Sequence, residues 1–191
     1  MDLHKFGIKF FAQGAEQIDI LKLIPIYHRW IQQSALEDLL IDVADYSHVP
    51  SGPGVMLIAH EGNYALDETG HERGVVYYSK HKLSGALSER FAQVAHKALK
   101  AAELMSADAD LEGALKVPGN RLQFFANDRL VAPNTDAVYA ELEPAFKAFL
   151  ERLYAGAPYK LERETDPKER LSVRVSADSA VPLKTLLERL S

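Results

Sequence analysis

The sequence predicts an α+β protein: a mixed, mostly antiparallel sheet of about seven strands with three main helices packed on it. Three observations carry that prediction. Short stretches of period-two alternation recur along the chain, two long stretches switch to helical spacing, and the turn signals between strands suit hairpins. The chain has 191 residues, 47% of them hydrophobic and 26% charged, the balance of an ordinary globular domain.

The stretch "KFGIKFFA" (5–12) alternates Phe6, Ile8 and Phe10 with Gly7 and Lys9, which predicts a strand with one face in a core. Ile20, Leu23, Ile24, Tyr27, Trp30 and Ile31 then fall at i, i+3, i+4, i+7, i+10 and i+11, one apolar stripe on a helix. Pro25 is tolerated only near a first turn, so the regular helix is expected to begin near Leu23. "LLIDVADY" (39–46) reads as a strand; the capping-box spacing of Ser34 and Glu37 leaves a helical alternative. "SHVPSGPG" (47–54) is a loop. "VMLIAHEGNYALDE" (55–68), the polar turn "TGHERG" and "VVYYSKH" (75–81) read as a hairpin of two strands.

The clearest helix spans 86–105, with Leu87, Phe91, Val94, Ala95, Ala98, Ala102 and Met105 along one side. A loop with one helical turn follows, and "RLQFFAND" (121–128) is a strand. A further helix over 135–154 carries Val138, Leu142, Phe146, Phe149 and Leu153; Gly156 is placed to end it, and Pro144 predicts a kink. "YKLERET" and "LSVRVSA" alternate around "DPKE" as a hairpin. Leu183, Leu186, Leu187 and Leu190 form a short leucine-striped helix, too short to stand alone in water. Its stripe is expected to pack on its own domain or, past the flexible-looking "SADSA", to contribute to a homodimer contact.

Residues 5–61 and 121–176 share the order strand, helix, strand, strand. That order suggests an internal β-α-β-β duplication within one compact domain, 1–191, its halves joined by a hairpin strand and helix over 74–105. Such a duplication implies a pseudo-twofold arrangement with a cleft between the halves.

Composition narrows the function. The formal charge is −5 and basic residues are scattered, which argues against a nucleic-acid partner, since phosphate contacts need a basic face. No apolar run approaches a membrane span, and Asp2 and Lys9 argue against a secretory signal. With no cysteine, thiolate catalysis and cysteine zinc sites are excluded, and a cytoplasmic setting is expected. None of the seven histidines has helical metal-ligand spacing, and neither a nucleophile elbow nor a nucleotide loop is present. No metal or cofactor is expected.

Two places have a chemical rationale. His60, Glu61 and Asn63 follow a greasy run, and a bulge at Gly62 would bring two of them into one pocket as proton-transfer groups. On a regular strand, successive side chains point apart, and the polar change only marks a strand leaving its core. In "ANDRLVAPNT" (126–135), helix-start N–H groups at Asn134 and Thr135, helped by Arg129, could hold an anion; helix capping is the plainer role. His28 and Asp42 complete the candidates, as groups that distant elements could bring towards His60. The expected function is small-molecule binding or protein interaction by a homo-oligomer, expected as a dimer, without cofactors; the alternative is a cofactor-free enzyme using His60 and Glu61.

Overall fold

Strand β1 (Phe6–Phe11) shows how the sheet is built, because Phe6, Ile8 and Phe10 point to one face while Gly7, Lys9 and Phe11 point to the other. All six residues are buried, so the expectation of a single core face is corrected: both faces of this strand are covered. The computed structural model describes residues 1–49 and 52–191, so the centre of the "SHVPSGPG" loop lies outside the described residues.

The other strands are β2 (Leu40–Tyr46), β3 (Gly54–Ala59), β4 (Gly62–Asp67), β5 (Gly74–Ser79), β6 (Arg121–Ala126), β7 (Tyr159–Arg163) and β8 (Ser172–Ala177). They form one eight-stranded sheet in the order β2-β3-β4-β5-β1-β6-β8-β7, with every pairing antiparallel. Four helices accompany it: α1 (Leu23–Gln33), α2 (Leu87–Ala107), α3 (Asp136–Tyr154) and α4 (Leu183–Leu190). The α+β class holds. The eighth strand arises because 55–68 is not one strand: the chain reverses at His60 and Glu61, and β3 and β4 form a hairpin of their own. Gly62 opens β4 where a Cβ would strike the Tyr77 ring and the Tyr78 carbonyl, so glycine there serves close approach rather than a bulge.

The helices pack on the face carrying Phe6, Ile8 and Phe10, and together they form one core. Its centre is aromatic: Phe91 of α2 meets Phe6 at 5.2 Å, Phe124 at 5.3 Å and Phe146 at 5.3 Å, all edge to face. Ser34 closes α1 in the left-handed conformation (φ 48°), which disposes of the helical alternative for the following segment. Thr135 caps α3 by accepting from the Val138 N–H at 3.3 Å. The helix runs unbroken through Pro144, where the missing hydrogen bond falls between exposed residues, so water can serve the freed carbonyl.

The leucine stripe of α4 is used within the chain. Leu186, Leu187 and Leu190 are buried against α2 and α3, and Arg152 and Arg189 tie the helix down by donating to the Arg189 and Leu153 carbonyls. Of the two expectations for this stripe, packing on its own domain is what these three leucines do, with Leu183 partly buried beside them.

Outward from the central β1–β6 pair the strands run β6-β8-β7 on one side and β1-β5-β4-β3-β2 on the other. With the β4–β5 hairpin set aside, residues 5–61 and 121–176 have the same outward order. The sheet itself runs through their junction without a gap, because β1 and β6 are hydrogen-bonded neighbours.

Candidate functional site

The helices leave the second face of the sheet to loops and side chains. Across its middle the register places Asp42, Ile58, Asn63, Tyr78, Gly7 and Phe125 in one row. The neighbouring row holds Ala44, Met56, Ala65, Val76, Lys9 and Gln123. Gly7 matters here: a Cβ would collide with the Phe125 ring, and its absence lets Tyr78 and Phe125 approach to 5.4 Å over the strand. Arg170, from the loop between β7 and β8, lies 4.0 Å above the Phe125 ring.

Beside this aromatic pair sits a closed ionic knot. Lys9 Nζ donates to Asp67 Oδ2 at 2.8 Å, and the two side chains are 1% and 2% exposed. Thr69 donates to the same carboxylate through its N–H (3.1 Å) and its hydroxyl (2.8 Å), and Tyr78 adds its phenol at 3.0 Å. Asp67 is thus neutralised and its lone pairs are engaged. Burial, reinforced by Asp67, pushes the Tyr78 phenol well above its ordinary range, so it stays a donor. Burial likewise pulls the Lys9 ammonium below its usual range, with Asp67 opposing.

Between the knot, the aromatic pair and the flanking loops runs an open groove of about 530 Å³. Met56 and Tyr78 give it an apolar floor; Lys5, Lys80 and Arg170 stand round it, with Asn63 and Asn127 as neutral polar groups. Asn63 Oδ1 is buried and has no hydrogen-bond partner. A buried acceptor left unpaired costs roughly 1–3 kcal/mol, and a bound donor would recover that.

The structure brings Asn63 to the groove and leaves the other candidates apart from it. His60 and Glu61 form the β3–β4 turn, their side chains 58% and 48% exposed, and line neither this groove nor the cleft on the helix side. The His60 ring stacks on His81 at 5.0 Å instead. His28 is exposed on α1, and Asp42 is exposed on β2, accepting from the Val43 N–H. Neither meets His60. Arg129 is exposed, while Asn134 is buried and occupied: it donates to the Asp166 carbonyl at 2.8 Å and accepts from Arg163 at 3.1 Å. Thr135 is the α3 cap. That place is therefore a strut between α3 and the β7–β8 hairpin.

A second cleft, about 220 Å³, opens on the helix side between the segment after α1 and α2, lined by Leu36, Tyr64, His96, Lys97 and Leu104 among others. Beneath it buried Asp38 accepts from the Tyr64 hydroxyl at 2.8 Å and pairs with Lys97. Burial, reinforced by Asp38, raises the Tyr64 phenol. His96 is half-buried, its Nδ1 has no partner, and burial lowers its imidazole below the usual value. Asp38, Tyr64 and Lys97 satisfy one another, so this cluster ties the α1–β2 connection to α2.

Among the described residues no group of His, Asp and Glu could hold a metal, and no helix is long and apolar enough to cross a membrane. No protein-family model matches the chain, and no curated protein matches it in sequence.

Apart from Asn63, the groove residues escaped the sequence reading. Tyr78 sits at strand periodicity and reads as packing, while Lys5, Lys80, Asn127 and Arg170 come from four separate segments. One signal was present: Lys9 inside an otherwise apolar strand, with Asp67 closing another, marks a face that is polar yet buried.

Proposed function

We propose that this protein binds a small organic molecule in the groove on the helix-free face of the sheet. The observation that carries the reading is the groove itself: an apolar floor ringed by convergent polar groups, one of them the buried, unpartnered Asn63 oxygen. Its volume lies within the roughly 300–1,000 Å³ of small-molecule sites. Fragment screening by ligand-observed NMR tests it, using Met56→Trp to fill the groove. Binding that disappears in a variant with unchanged melting temperature supports the reading; binding that survives Met56→Trp defeats it. Proton transfer by His60 and Glu61 has no comparable support, since an exposed turn gives them no shared pocket.

Self-association is a second reading, favoured by the outer strand β2. Leu39, Ile41 and Tyr46 are 68%, 55% and 43% exposed along an edge whose outward backbone groups lack a strand partner. Antiparallel pairing of β2 with its copy about Val43 sets Asp42 opposite Ala44 and Asp45 opposite Ile41, so no acidic side chains face each other. Light scattering decides: a dimer that Ile41→Lys converts to monomer supports this contact, and a monomeric parent chain rules it out.

A further inference from the structure

We infer that the ligand of the helix-free groove is an organic anion with a flat aromatic body and an N–H or O–H donor, an inference that rests on the groove being a binding site. Charge is the first argument. Lys5, Lys80 and Arg170 line the groove against one carboxylate, Asp67, which Lys9 already neutralises. The groove is therefore cationic on a chain whose formal charge is −5, so the local field is set by the site and not by the whole protein.

The cations also have capacity to spare. Lys80 donates to the Ala59 carbonyl at 2.5 Å, leaving two of its three protons, and Arg170 uses one N–H on Asn127 Oδ1 at 3.1 Å out of five. Lys5 is exposed beside them. Asp67 cannot act as a competing acceptor for a cationic ligand, because Lys9, Thr69 and Tyr78 occupy it.

The shape of the ligand follows from the floor. Met56 and Tyr78 supply flat apolar surface, and Arg170 lies over the Phe125 ring at its end. An aromatic body resting on Tyr78 would carry an anionic group towards Arg170 and Lys5. The donor follows from Asn63, whose buried Oδ1 has no partner in the protein.

Anilinonaphthalene sulfonate has all three features, and uncharged phenylnaphthylamine lacks only the sulfonate, so the two dyes isolate the charge. In fluorescence titrations both should bind the parent protein and lose binding in Met56→Trp. The sulfonate should bind about tenfold more tightly, as two partly exposed ion pairs would give. That preference should collapse in molar salt and in the Lys5→Gln, Arg170→Gln double variant. If the uncharged dye binds as tightly, or if the preference survives the double variant, the anion inference falls while the binding site stands. If neither dye binds, or Met56→Trp changes nothing, the binding site falls too.

Discussion

The two faces of the sheet are made by the same strands, residue by alternate residue, and they differ in how their polar groups are treated. On the helix side Phe6, Ile8 and Phe10 enter an aromatic core, and the one buried carboxylate next to the cleft, Asp38, is closed off by Tyr64 and Lys97. On the other side a lysine, an aspartate, an asparagine and a tyrosine replace the apolar row, and one buried oxygen stays without a partner. Unpaired buried atoms occur on both faces, since the Tyr27 and Tyr77 hydroxyls, His96 Nδ1 and Ser106 Oγ also lack partners on the helix side. Each is costly wherever it lies. The contrast teaches that an unpaired buried atom does not by itself separate core from site; an open groove with cations converging on it does.

The largest expected effect lies in the ionic knot. Asp67→Ala strands the Lys9 ammonium at 1% exposure, and should cost about 3–5 kcal/mol in urea denaturation. Replacing both partners, Lys9→Met with Asp67→Leu, should recover most of it. A single-variant loss within experimental error would mean the knot does not hold the open face together. On the helix side, Leu186→Ala should cost about 2–5 kcal/mol, since the residue is fully buried. The oligomeric state by light scattering should not change, and a change would return α4 to a partner contact.

Tyr78→Phe separates the two roles of one residue. It removes a single hydrogen bond to Asp67 and keeps the ring on the groove floor, so the expected loss is about 1 kcal/mol by thermal or chemical unfolding. A loss as large as that of Asp67→Ala would show that the phenol, and not the lysine, secures the carboxylate. The smallest effect is a pH slope. Burial lowers the His96 imidazole from 6.5, so the unfolded chain takes up its proton first and acidification below pH 6.5 destabilises the fold. His96→Gln should flatten that part of the stability curve. A slope that persists unaltered assigns it to another group.

Much of the fold was legible because it rests on periodicity. The helices α1, α2, α3 and α4, and the strands β1, β7 and β8, follow from spacing of two or of three and four, while β2, β5 and β6 follow as short apolar runs beside turns and loops. The β3–β4 turn was hidden because His60 and Glu61 carry no turn signature, and the glycine beside them serves the Tyr77 ring. The site was legible only at Asn63. Its partners lie before β1, after β5, after β6 and in the β7–β8 loop, and only the strand order β5-β1-β6-β8 brings them together. His60 and Glu61 drew the eye as adjacent titratable groups, yet adjacency in sequence placed them on a turn and not in a pocket.

Mapping amide chemical shifts by NMR during a titration with anilinonaphthalene sulfonate locates the bound molecule, because it reports on both faces of the sheet at once. The perturbed amides should cluster at Met56, Asn63, Tyr78, Lys80 and Arg170 and leave α2 and α3 unmoved. Perturbations centred instead on Leu36, His96 and Leu104, in the helix-side cleft, would contradict binding in the groove.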